Sequence, residues 1–243
     1  MAREEQESKR ESTASSVRRR VLASRDRIWR TQDFDGSRDA VQAELRRLVR
    51  TGELERIRRS VYWRGRKTRF GPTVADEGKA LRKLLGRAGV GAAGWYATNL
   101  LGLSTQVAPT EMLAITGRPP AGFSHLRLVD RSRRVGRHDA RLNDLEITFL
   151  EALEGWDKYV ERNPVAATDR FQELLRGGEV RISRLVQAAA TEPAVVRERL
   201  RRLLVEGGWQ AEAARVEGAR SDSARRRALS VFPNPHASES VGP

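Results

Sequence analysis

Between Ser37 and Thr51 the apolar side chains Val41, Leu45, Leu48 and Val49 recur at i, i+4, i+7 and i+8. A Thr51-Gly52 stop then separates them from a Leu/Ile and Val/Tyr/Trp stretch, Leu54 to Trp63, that carries arginine between its apolar residues. The first spacing predicts a helix with one buried stripe, the second a β-hairpin with one face inward. Leu54 and Ile57 fall on one strand and Val61 and Trp63 on the next, with Arg58, Arg59 and Ser60 as the turn. The helix stripe must be covered by elements upstream. From Ser15, a helix turns Val17, Val21 and Leu22 inward, and Ile28 and Trp29 continue the apolar pattern. A short second helix starts near Thr31, with Thr31 as its cap and Phe34 in the core. Gly36 and Ser37 lead into the third helix, so the order is helix, turn, helix, wing.

The outward face of that third helix is cationic. Arg38, Gln42 and Arg46 form an i, i+4, i+8 line, Arg50 extends it, Arg47 flanks it, and Ser37 is placed to cap the first turn. Arginine, glutamine and serine are the side chains that reach base edges and phosphates in a major groove. Arg38 is the candidate bidentate partner of guanine and Gln42 of adenine, with Arg46, Arg47 and Arg50 on groove-wall phosphates. Arg56, Arg58, Arg59, Arg64, Arg66 and Lys67 approach from the wing side.

The formal charge of +14 favours a polyanionic partner, because each phosphate neutralised releases condensed counterions. Of the 46 basic residues 41 are arginine, a bias that an arginine-rich genome also produces, so the position of the charge matters more than its sum. Residues 1–70 hold 20 Arg or Lys against 11 Asp or Glu, which puts the excess where the helix and hairpin are. Without cysteine there are no disulfides and no thiolate metal sites. No run of 18 apolar residues exists, and the opening MAREEQESKRESTASS lacks the apolar core of a secretory signal. The expectation is a cytoplasmic protein with no membrane contact.

Further along, residues 1–13 read as a disordered tail, 14–69 as the winged unit, 70–207 as a larger domain, and 208–243 as partly helical and then disordered from Ser221. Arg64 to Pro72 reads as a linker. In the larger domain, Val74 to Gly89 and Gly91 to Leu101 predict helices, and Glu111 to Thr116 and Leu126 to Asp130 predict strands joined by a Gly/Pro-rich loop. Leu142 to Val160, Val165 to Leu175, Arg181 to Ala190 and Pro193 to Val205 predict amphipathic helices. The fold class expected is α+β, mainly α: an N-terminal winged helix-turn-helix followed by a larger helical domain containing a small β-sheet.

Enzymatic readings have little to stand on. Gly89, Gly91 and Gly94 match a dinucleotide fingerprint with Glu111 about twenty residues on, yet the basic, helical KALRKLLGRA precedes them where a strand is required. A turn between helices is the simpler account. Glu77 and Lys79 form half of a nuclease-like signature but sit at a predicted helix start. His125, His138 and His236 are scattered, without partners at ligand spacing, and no cofactor or metal is expected. Trp29 and Trp63 suit the core better than base stacking, whereas Trp95, Trp156 and Trp209 are candidate anchors for a protein partner. Arg133-Arg134 and Arg225 to Arg227 are either added phosphate contacts or solvated charge.

One long, gapless stretch, GWYATNLLGLSTQVAPTEMLAITGRPP from Gly94 to Pro120, resembles the AbiEi-like antitoxins of type IV toxin-antitoxin systems. Asp33-Phe34, the run from Ala40 through Tyr62, and PAVVRERLRRLL from Pro193 are similar to the same family, so the likeness spans about residues 17–206. It implies a winged helix-turn-helix that binds double-stranded operator DNA and represses its own operon, as a monomer or a weak dimer on DNA. It further implies a C-terminal domain that counters a nucleotidyltransferase-like toxin. Ser60 stands where the family often has a wing-turn glycine, and the chain from Gly208 onward matches nothing in it. Two alternatives are a stand-alone winged-helix regulator and a toxin-neutralising partner that no longer reads DNA specifically.

Overall fold

The computed structural model describes residues 11–86 and 89–233. The chain is α+β and mainly α, and it divides into two compact units. One extends through Leu84 and includes Ala121–Phe123; the other takes Leu85–Pro120 and the chain from Ser124. The division therefore falls some fifteen residues after the boundary expected at residue 70. The helix over Glu77–Leu85 accounts for the difference: Lys83 lies 2.8 Å from Asp33 and bonds the Ile28 carbonyl, and Arg30 donates to the Lys83 carbonyl at 3.0 Å. The expected tails over residues 1–10 and 234–243, and His236, lie outside the described residues.

The first unit begins with α1 (Thr13–Leu22), capped by the Ser12 hydroxyl. Val17 and Val21 are buried as expected, whereas Leu22 is 38% exposed. Strand β1 (Arg27–Arg30) holds Ile28 and Trp29, and a single 3-10 turn, Thr31–Asp33, stands where a second helix was expected. The Asp33 carboxylate accepts from the Arg30 amide at 2.9 Å and closes this turn, and Gly36, at φ +105°, ends it. A Cβ on Gly36 would lie 2.5 Å from the Thr13 hydroxyl, so only glycine lets the chain pass the start of α1.

Helix α2 (Arg38–Arg50) follows, with Val41, Leu45 and Leu48 buried and Val49 partly so. Strands β2 (Glu55–Arg58) and β3 (Val61–Arg64) form the expected hairpin, and β1 joins it, giving an antiparallel sheet in the order β1-β3-β2. Pairing jumps from Arg56↔Tyr62 to Arg58↔Val61, leaving Ile57 as a bulge. Val17, Val21, Trp29, Phe34, Val41, Leu45, Leu48, Leu54 and Tyr62 make one core. Trp29 stacks on Phe34 at 4.8 Å, and the Trp63 indole donates to the Thr73 carbonyl at 2.8 Å, so both tryptophans are structural. The segment read as a linker contains a second, smaller hairpin, β4 (Lys67–Thr68) with β5 (Gly71–Pro72), ahead of α3 (Glu77–Leu85).

In the second unit, β6 (Val90–Ala92) pairs antiparallel with β7 (Glu111–Ile115), which pairs parallel with β8 (Leu126–Asp130). The glycines around α4 (Gly94–Leu100) therefore serve a strand and not a turn between helices. A Cβ on Gly91 would meet Ile147 and the Asp144 carbonyl at 2.6 to 2.7 Å, so this glycine lets β6 lie against α6 (Asp144–Glu154), which follows the short α5 (Gly136–Asp139). Helix α6 is buried along its whole length from Glu146 to Leu153. Around it come α7 (Trp156–Tyr159), α8 (Pro164–Arg176), α9 (Ile182–Ala188), α10 (Ala194–Glu206), α11 (Gln210–Ala214) and α12 (Asp222–Leu229).

Helix α12 corrects the expected disorder after Ser221. Ala228 and Phe232 are buried, and Phe232 packs 5.0 Å from Trp156, which is therefore a core residue and not a partner anchor. Arg134 is likewise internal: with Arg131 and Arg137 it surrounds Glu151, Glu154 and Glu192, and Arg137 is fully buried. Among the described residues no helix is long and apolar enough to cross a membrane.

Candidate nucleic-acid interface

The amphipathic spacing of α2 that buries Val41, Leu45 and Leu48 leaves Arg38, Arg46, Arg47 and Arg50 exposed on its other sides. Ser37 acts as the cap, its hydroxyl accepting from the Ala40 amide at 3.2 Å, so it fixes the helix start and holds its oxygen on backbone. Gln42 is half-buried and accepts from the Arg46 guanidinium at 3.2 Å, which ties two positions of the i, i+4 line together.

Two grooves flank α2 where it meets the hairpin. One, of ≈ 410 Å³, is lined by Gln32, Gly36, Arg38, Arg59 and Ser60 among others, so the helix start and the hairpin turn share it. The other, of ≈ 500 Å³, is lined by Ala43, Arg46, Val49, Arg50, Arg56 and Tyr62. Arg38, Arg46, Arg50, Arg56 and Arg59 carry no ion pair among the described residues. They are guanidinium groups in place, uncompensated and aimed at solvent. Arg30 and Gln32 also line the first groove and were not among the expected contacts, because their segment was read as the start of a short helix supplying a cap at Thr31 and a core residue at Phe34.

The remaining expected contacts are placed differently. Arg64 is only 13% exposed in its side chain and lies 3.0 Å from Glu53, so its position is structural. Arg58 is half-buried, with Nη1 enclosed and its guanidinium 5.6 Å from the Phe123 ring centre. Arg47 pairs with Glu44 at 3.5 Å, Arg66 with Asp26 at 3.0 Å and Lys67 with Glu53 at 2.7 Å, although all three stay more than half exposed. Exposed pairs of this kind are worth at most about 1 kcal/mol and exchange readily for a phosphate.

The acids respond to these cations. The Lys67 hydrogen bond, together with the nearby Arg64 and Arg18 charges, outweighs burial and holds Glu53 below the usual carboxylate range. A hydrogen bond from Thr73 and the Arg66 guanidinium lower Asp26 in the same way. Burial pushes Asp33 up, but Lys83 and Arg30 more than offset it and the net direction is down. Among the described residues no group of three or more His, Asp or Glu is placed to hold a metal.

No family model matches the chain, and no curated protein matches it. Among solved structures, the crystal structure of the RV2827C protein from Mycobacterium tuberculosis is similar at 16% identity and a TM-score of 0.44, covering 93% of this chain and 83% of that one.

Proposed function

We propose that the chain is a DNA-binding antitoxin and transcriptional autorepressor of a type IV toxin-antitoxin operon. In this reading the first unit is a winged helix-turn-helix, with the 3-10 turn in place of its middle helix, α2 as recognition helix and β2–β3 as wing. The observation that carries it is the set of five arginines without ion pairs among the described residues, three on α2, one on β2 and one in the β2–β3 turn, lining the two grooves that flank α2. Cations left uncompensated on a helix and a ribbon are what a duplex backbone satisfies, and Arg38 and Gln42 hold the chemistry for guanine and adenine edges. The antitoxin part rests on the likeness of Gly94 to Pro120 and of Ala40 through Tyr62 to the AbiEi-like family.

The test is an electrophoretic shift with the full chain on the DNA upstream of its own gene. Retention of that fragment at salt where scrambled DNA is released supports the reading; equal release of both would falsify operator recognition. For the second unit, coexpression with an adjacent nucleotidyltransferase gene should restore growth that the nucleotidyltransferase alone arrests. Continued arrest, with both proteins made, removes the antitoxin role and leaves the DNA-binding one standing.

A further inference from the structure

The β4–β5 hairpin has no part in the core, and its tip carries Phe70 at 85% exposure. Single exposed apolar residues are ordinary on protein surfaces; what sets this one apart is how firmly it is mounted. The Thr68 hydroxyl donates to the Gly71 carbonyl at 2.7 Å and accepts from the Phe70 amide at 3.2 Å, while Gly71 takes φ +107° to close the turn. At the base, the Thr73 amide donates to the Arg66 carbonyl at 2.9 Å, and the Thr73 carbonyl is held by the Trp63 indole. The Arg66 amide donates to the Thr73 hydroxyl at 2.9 Å, and that hydroxyl donates to Asp26 at 2.8 Å. A ring displayed on so short and braced a loop loses little conformational entropy when it binds.

The surroundings say what it would bind. From Arg56 through Ala75 the chain has seven Arg or Lys and no Asp or Glu, and the Arg69 guanidinium lies 4.6 Å from the Phe70 ring centre. The groove of Arg46, Arg50 and Arg56 shares Val49 and Arg56 with a third groove, of ≈ 530 Å³, lined also by Glu53, Glu55, Arg64 and, from this hairpin, Pro72. An exposed aromatic ring with a guanidinium beside it, on a segment that carries seven Arg or Lys and no acid, fits duplex DNA. Minor-groove binders combine narrow-groove arginine with an aromatic wedge that parts a base step and bends the helix.

We infer that β4–β5 is a second wing, which sets Arg69 in the minor groove beside the site faced by α2 and wedges Phe70 into a base step, bending the DNA. The inference rests on the DNA-binding reading above and deepens it. The probe is a duplex recovered from a randomised pool by the full-length protein, labelled at both ends for energy transfer and carrying 2-aminopurine through the flank. Wild type should bend it by about 20 to 90° and raise the 2-aminopurine signal at one step. Phe70→Ala should bind about tenfold more weakly or worse, with bend and signal lost and the salt slope unchanged, because no charge is removed. Phe70→Leu should keep the bend. Arg69→Ala should lower the salt slope by about one. Both Phe70 variants are expected to unfold at the wild-type midpoint, since the ring is outside the core. Wild-type affinity and bend in Phe70→Ala overturn the wedge alone. Failure of wild type to recover any duplex overturns both readings.

Discussion

At Ser60 the β2–β3 turn asks for something its side chain resists. The residue sits at φ +64°, in the left-handed region where a Cβ costs about 1 kcal/mol or more, and its carbonyl accepts from the Thr31 amide. Sequence comparison with a glycine-bearing turn marks the position, but only the backbone angle shows that strain is present. Ser60→Gly relieves about 1–2 kcal/mol of left-handed strain against about 0.5–1 kcal/mol of added chain entropy, so it should stabilise the protein by up to about 1 kcal/mol, read from the urea midpoint, without weakening DNA binding; a clearly lower midpoint would mean the turn holds Ser60 without strain. Gly91 gives the opposite case. An alanine there drives a methyl into the Asp144 carbonyl and Ile147, neither of which can move without shifting α6, so Gly91→Ala should cost about 1–3 kcal/mol. Its place in a dinucleotide-like motif is a coincidence of packing: the glycine is there for a helix and not for a pyrophosphate.

On the scale of elements, the arginines on α2 and β2 should separate by what they touch. Arg46, Arg50 and Arg56 share one groove and have no acidic partner among the described residues, so alanine at each should weaken binding to all sequences alike and reduce the salt slope by about 0.9. Arg38→Ala and Gln42→Ala should instead relax sequence preference, by about 1–3 kcal/mol at one base pair each in competition titrations. Arg64→Ala should leave the slope unchanged, because that guanidinium is already spent on Glu53. A slope change as large as that of Arg56→Ala would show that Arg64 reaches phosphate after all. Helix α2 was readable in advance because its apolar period, near 3.6, is set by burial on one side, and the β2–β3 hairpin because two apolar, β-prone runs flank a polar turn at Arg58 to Ser60. The period could not reveal β1: Ile28 and Trp29 are adjacent, both buried, and adjacent apolar residues fit a helix as well as a strand. Their state is decided at a distance, by pairing with Trp63 and Tyr62. Helix α12 was hidden for a similar reason. Its polar composition predicts disorder, and two buried residues, Ala228 and Phe232, are enough to hold it.

For the whole molecule, the same excess of arginine that faces solvent in the first unit is turned inward in the second, where Arg131, Arg134 and Arg137 enclose Glu151, Glu154 and Glu192. A count of arginines cannot distinguish these uses; because the cluster sets three arginines against three glutamates, it is neutral as a unit and the net +14 is carried by the rest of the chain. The buried cluster has its own signature in pH. Burial pushes Glu151 up, yet Arg131, Arg137 and Arg134 overcome it and the carboxyl lies below its ordinary value of 4.5. With the folded value depressed, the unfolded chain binds the proton more readily. The contribution of Glu151 to stability is then complete above pH 4.5 and is lost as the pH falls through the lower folded value. Glu151→Gln keeps the shape and removes the charge, leaving buried guanidinium groups short of a partner, so at pH 7 it should cost about 3–5 kcal/mol in urea unfolding. Below the folded value wild type carries a neutral carboxyl too, and the gap between the two proteins should close. A gap that stayed constant from pH 7 to acid would assign the loss to packing around α6, and the arginines would then be held there by shape and not by charge.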